Sequence, residues 1–139
     1  MQQTRQMLRV FVVDDEHVIA SSLAMILRYN GGFHATSFND PLDALQAARL
    51  EAPDLLITDV VMPQLSGVDL AIQIQKQCPN CKVLLFSGQL ATAHLLDSAH
   101  AQGFEFEVLS KPVHPADLLA GIQSLTERST LAPTPELQI

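Results

Sequence analysis

At 139 residues the chain falls in the single-domain range, and a domain of about 150 residues buries roughly 68–70% of its unfolded surface, enough to need no disulfide or metal staple. Hydrophobic residues at 47% and charged residues at 17%, without low-complexity tracts, exclude a disordered chain. A net charge of −7 with eight scattered Lys and Arg argues against nucleic-acid binding by this chain alone, and no apolar run approaches the roughly 20 residues that span a bilayer. The start, Met1-Gln2-Gln3-Thr4-Arg5-Gln6, is polar and leads straight into a strand-like run, which is not the layout of a signal peptide. A cytoplasmic protein is expected.

Taken in order, short β-rich apolar runs alternate with helical patterns, the signature of an α/β parallel sheet covered on both faces. Leu8 to Val13 predicts a first strand, followed by a helix carrying Ile19, Leu23, Ile26 and Leu27 at helical spacing until Asn30-Gly31-Gly32 stops it. Phe33 to Phe38 is a second strand. Asn39-Asp40-Pro41 supplies an N-cap with proline at the first helical position, opening a helix through about Leu50. Asp54 to Thr58 is the third strand, Val68, Ala71 and Ile72 begin a third helix, and Lys82 to Phe86 is the fourth strand. A fourth helix over about Ala91 to Gln102, a fifth strand over Phe106 to Leu109 and a helix from Pro115, with Leu118, Leu119, Ile122 and Leu125 on one face, complete the pattern. The expected organisation is an N-terminal extension over 1–7, one domain over 8–126, and a tail or linker stub over 127–139.

Ligands of an open parallel sheet bind at the carboxyl ends of its strands. Asp14 and Asp15 follow the first strand, Asp59 the third, Ser87 the fourth and Lys111 the fifth. Taken singly, an acidic pair after a strand is usually a cap, a Ser-Gly a turn, and a lone Lys a surface side chain with its stem packed. Their coincidence at one end of one sheet outweighs those separate readings. Unit charges about 4 Å apart interact by roughly 4 kcal/mol at an effective dielectric near 20, so three converged carboxylates call for a hard cation. Oxygen ligands without Cys or His select magnesium, with manganese as the alternative. A carboxylate can also be the nucleophile of phosphoryl transfer, with cations and hydroxyls binding the transferred group.

Cys78-Pro79-Asn80-Cys81 invites a zinc or redox reading. A structural zinc takes four ligands, and His17, His34, His94, His100 and His114 offer no matching spacing. The pair follows a helix, where the dipole raises a thiol pKa, so a plain loop between helix and strand is expected.

The run Val12-Val13-Asp14-Asp15-Glu16, then Asp59-Val60-Val61-Met62-Pro63-Gln64-Leu65-Ser66-Gly67, then Ser87-Gly88, then Lys111-Pro112 resembles the CheY-like receiver domains of two-component systems, over roughly residues 8–126. That resemblance implies a single flavodoxin-like domain, a doubly wound five-stranded parallel sheet of order 2-1-3-4-5 with five helices. It implies that Asp59 is the phosphoacceptor, and that Asp14, Asp15 and Asp59 hold Mg2+ (or Mn2+) with the backbone carbonyl of Val61. Ser87, Gly88 and Lys111 would bind the phosphoryl group, Ser87 as the switch hydroxyl, and the Lys111–Pro112 bond would be cis. A histidine kinase or histidine phosphotransfer protein would be the donor, and the protein would catalyse only its own phosphorylation and dephosphorylation. A second copy or an effector would dock on the fourth helix, fifth strand and fifth helix. The sequence departs from the pattern at Val108, where receivers usually carry Tyr or Phe; Phe106, on the same strand face, is either the candidate replacement in the switch and output face, as part of a docking patch, or a core residue packed under the fourth helix. The segment from Gly103 to Lys111 is also one residue longer than is common. Two rivals are a degenerate receiver that binds partners without phosphorylation, which normally lacks a site residue, and a haloacid-dehalogenase-like phosphatase, which wants Asp-x-Asp after the first strand.

Overall fold

The computed structural model describes residues 7–88 and 93–131, with side chains through 126. Five strands, β1 (Arg9–Val13), β2 (His34–Phe38), β3 (Leu55–Asp59), β4 (Lys82–Ser87) and β5 (Glu107–Ser110), alternate with helices α1 (His17–Ile26), α2 (Pro41–Leu50), α3 (Gly67–Gln77), α4 (Ala93–Ala101) and α5 (Pro115–Leu131). All strand pairs are parallel and the order is β2-β1-β3-β4-β5. This is the doubly wound, flavodoxin-like arrangement that the sequence leads one to expect.

Buried on both faces, β1, β3 and β4 must be apolar nearly throughout, and they are. Strand side chains alternate, so Val10, Val12, Leu55, Ile57, Leu84 and Phe86 pack with α1 and α5, while Phe11, Val13, Leu56, Val83 and Leu85 pack with α2, α3 and α4. Helix starts on the acidic side are fixed by side-chain oxygens. Asp40 accepts from Leu42 N–H at 2.9 Å with Pro41 at the first helical position, and Ser66 Oγ accepts from Asp69 N–H at 3.1 Å.

Several boundaries move by a residue or more. The second strand starts at His34, and the third and fourth run through Asp59 and Ser87, which are therefore the last residues of strands instead of the first of loops. The fifth starts at Glu107, leaving Phe106 just before it. In the fourth helix the described residues begin at Ala93, so the expected first turn at Ala91 lies outside them. The last helix continues through Leu131, past the point at 127 where a tail was expected. After α1 the backbone widens into a π-helical turn over Leu27–Gly31, closed by the Gly32 N–H to Leu27 carbonyl bond, with Gly32 left-handed at φ 69°. Arg28 Nε donates to Ala35 O at 2.9 Å there, tying the widened turn to β2.

Candidate functional site

Parallel pairing stacks the carboxyl ends of β1, β3, β4 and β5 at one edge, and backbone bonds lock their loops together. Asp14 N–H donates to Phe38 O, Val60 N–H to Phe86 O and Lys111 N–H to Ser87 O, at 3.1, 3.2 and 3.1 Å. Asp14, Asp15 and Asp59 thereby bring one carboxylate oxygen each to within 4.8 Å of one another. Lys111 Nζ lies 3.2 Å from Asp59 Oδ2 and 3.8 Å from Asp14 Oδ2, and 5.7 Å from the Phe86 ring centroid, a cation–π contact that steadies the ammonium over the sheet. Gly88 stands beside the Lys111 stem, since a Cβ there would sit 3.4 Å from Lys111 Cβ. The Lys111–Pro112 bond is cis.

Asp14 is fully buried and Asp59 is 6% exposed, whereas Asp15 faces solvent. Asp14 Oδ1 accepts from Glu16 N–H at 2.9 Å, which also turns the chain into α1. No hydrogen-bond donor among the described residues reaches Asp14 Oδ2. Burial pushes the Asp14 carboxyl up to about 6, with the neighbouring Asp59 charge adding to the rise and the Glu16 hydrogen bond and Lys111 opposing it. Burial likewise raises Asp59, against the lowering pull of Lys111. Three carboxylates face one ammonium here, and a buried carboxylate oxygen is left without a donor. Such a set of hard oxygen donors suits a divalent cation.

The structure brings Asp14, Asp15, Asp59 and Lys111 together, with Ser87 and Gly88 at the end of the intervening strand. Val61 follows on the loop after β3 with its side chain half exposed, and Gln64 in that loop is left-handed at φ 72°, costly for a non-glycine residue. Phe106 and Leu109 lie on opposite sides of the sheet, as alternation requires. Phe106 is half-buried against the α2, α3 and α4 core and stacked on Phe104 at 6.2 Å, whereas Val108 is 39% exposed. Two residues were not singled out beforehand. Phe86 lies under Lys111, and Gly67 was read only as part of a motif, yet a Cβ on it would lie 1.9 Å from the Asp59 carbonyl oxygen. The second gave no signal in the sequence, since its close approach depends on how α3 sits over the end of β3.

Fold and site together define a doubly wound α/β domain with an acidic, lysine-bearing crevice at the carboxyl ends of its central strands. The family model for the response regulator receiver domain matches residues 10–123. The chain is 32% identical over 124 residues to the probable transcriptional regulatory protein TcrX of Mycobacterium tuberculosis, covering 89% of this chain and 52% of that protein. It is 31% identical over 119 residues to the response regulator receiver protein CpdR of Brucella abortus, covering 86% of this chain and 97% of that one. Solved relatives include a response regulator receiver domain protein from Clostridium thermocellum, at TM-score 0.77 and 28% identity, covering 90% of this chain and 98% of that chain. The signal receiver domain of an HD domain-containing protein from Pseudomonas fluorescens Pf-5 superposes at TM-score 0.80 and 26% identity, over 90% of this chain and 98% of that chain. The chain belongs to the response regulator receiver domain family, the signalling domains of two-component systems. It spans about half the length of TcrX, and among the described residues no helix is long and apolar enough to cross a membrane.

Proposed function

We propose that this receiver accepts a phosphoryl group on Asp59 from the phosphohistidine of a kinase or phosphotransfer protein, in a step that requires magnesium, and that the phosphorylated form changes partner binding. The observation that carries this reading is the convergence of three carboxylates, one with a buried oxygen lacking a donor, on a single lysine at the carboxyl end of the sheet. An Asp59 oxygen attacks phosphorus, the phosphorus–nitrogen bond to the donor histidine breaks, and the nitrogen leaves with the electron pair. Lys111, already 3.2 Å from Asp59, transfers its ion pair to a phosphoryl oxygen. Ser87 O–H at the end of β4 and Gly88 N–H just after it would bind the remaining oxygens. Asp14, Asp15 and Asp59, joined by the Val61 carbonyl, would hold the metal, and when bound it supplies positive charge to the phosphoryl oxygens. The chain acts on its own aspartate and on no released substrate.

A calorimetric titration with magnesium chloride tests the site. Wild type is expected to bind at one site, and the Asp14→Asn, Asp15→Asn double variant to show no binding in the same range. Lys111→Ala should leave metal binding intact or tighten it, because it removes positive charge from the crevice, while impairing the response to phosphorylation. Equal magnesium affinity in the double variant and wild type would contradict the assignment.

The proposed output face is that of α4, β5 and α5, with Val108 exposed on it and Phe106 acting as its buttress. Phe→Ala in a full core costs about 3–5 kcal/mol, so the half-buried Phe106→Ala should cost about 2 kcal/mol in a denaturant melt. A loss under about 0.5 kcal/mol, coupled with weakened association after phosphorylation, would instead make Phe106 a direct contact residue.

A further inference from the structure

The two cysteines lie at the opposite end of the sheet from the crevice, in the turn between α3 and β4. Cys78 ends α3 and Cys81 immediately precedes β4. Cys81 N–H donates to Cys78 O at 3.0 Å, closing a four-residue turn through Pro79 and Asn80. Such a turn holds its first and fourth Cα atoms within about 7 Å, and a disulfide needs roughly 4.4–6.8 Å. Both side chains also face the same apolar layer, Cys81 inside the core under α2, α3 and α4 and Cys78 packed at its margin. The chain has no other cysteine to compete for either.

We propose that Cys78 and Cys81 are a site of reversible modification, closing an intramolecular disulfide by exchange with a low-molecular-weight disulfide such as oxidised glutathione. The order of events follows from access. Cys78 is partly exposed, so its thiolate attacks the reagent, expelling one glutathione thiolate and leaving a mixed disulfide on Cys78 Sγ. Cys81 is buried, with its S–H donating to Lys82 O at 3.3 Å, and so it reacts second. It gives its proton to solvent, attacks Cys78 Sγ and expels the second glutathione thiolate. Two protein thiols are oxidised, and one small disulfide is reduced to two thiols. Burial raises both thiols, Cys81 to about 12, so closure is slow near neutrality and quickens as pH rises. The pair is therefore a slow staple at the foot of β4, unlike the fast catalytic pairs found at helix N-termini. It rests on the turn geometry and is independent of phosphorylation.

The full chain is incubated with oxidised glutathione at mildly alkaline pH, quenched with acid, and examined by intact mass and by digestion without reduction. The expected product is a monomer lighter by two hydrogens, yielding one peptide pair joined through Cys78 and Cys81, and dithiothreitol restores the original mass. Cys81→Ser is expected to keep one glutathionyl group on Cys78. Cys78→Ser, changed at the less buried position, is expected to remain unmodified, and this readout stands even if the Cys81 variant fails to fold. A wild-type chain that stops at the mixed disulfide, links to a second chain, or remains unmodified while folded would overturn the proposal.

Discussion

Asp14→Asn is expected to stabilise the metal-free domain by about 3 kcal/mol at pH 7, although it removes a residue of the site. The Asp14 carboxyl is fully buried and titrates near 6 in the fold, against an ordinary value of 3.8. Between those two pH values the folded chain holds a proton that the unfolded chain has released. Stability therefore falls as pH rises through that window and is flat above it, and the gap corresponds to about 3 kcal/mol at neutral pH. Asp59, raised by the same burial, adds in the same direction. Asparagine keeps the acceptor for Glu16 N–H and removes the charge. Denaturant melts of wild type and Asp14→Asn should diverge from about pH 4 upward and run parallel above about 6. Magnesium should restore the wild type, since a ligand at a hundred times its Kd adds about 2.7 kcal/mol, and should do far less for the variant. Parallel curves across the whole range would show that burial of this charge is not what sets the stability of the crevice.

Gly67→Ala should act in the opposite sense, costing about 3 kcal/mol or more. Its Cβ would lie 1.9 Å from the Asp59 carbonyl oxygen, 2.8 Å from the Asp59 carbonyl carbon and 3.0 Å from Val60 Cα. All three are backbone atoms, so no rotamer change relieves the clash, and the Gly67 N–H to Val60 O bond at 2.8 Å holds the approach. The domain must either part α3 from β3 or shift Asp59, and phosphoryl acceptance should fall with stability. Gly121→Ala is the matched control. Inside α5 its new methyl would meet Leu84 and Leu109 at 3.5 and 3.6 Å, ordinary contact, and removing a helix glycine gains up to about 1 kcal/mol. A Gly67→Ala domain as stable as the Gly121→Ala one would refute the close approach.

The acids of the crevice were legible in the sequence because a parallel sheet converts a one-dimensional pattern, polar residue after apolar run, into one spatial edge. Asp14, Asp59 and Lys111 meet for that reason, and the strand order brings β5 next to β4 so that Lys111 can reach inward. Bounds shifted where the discriminating signal is a hydrogen bond and not a side chain: Asp59 and Ser87 look like loop residues, yet both pair in register, with Phe86 and Ser110. The π-helical turn after α1 was not legible, since Leu27 continues the helical period perfectly well in sequence and only the backbone shows the wider bond. Nor could sequence give the contact of Gly67 with Asp59, which depends on how closely α3 rides over the end of β3. The strand period puts Phe106 on the face of Val108 but does not give its packing against the core of α2, α3 and α4, which depends on where those helices lie.

Acceptance of a phosphoryl group by Asp59 is measured most directly by intact mass after incubation with acetyl phosphate and magnesium, read against Asp59→Asn and against wild type with the metal chelated. Wild type should gain about 80 Da, one phosphoryl group, with the label mapping to the peptide that holds Asp59, and both controls should gain nothing. An equal gain in Asp59→Asn, or an unlabelled wild type that binds magnesium and is folded, would contradict the account.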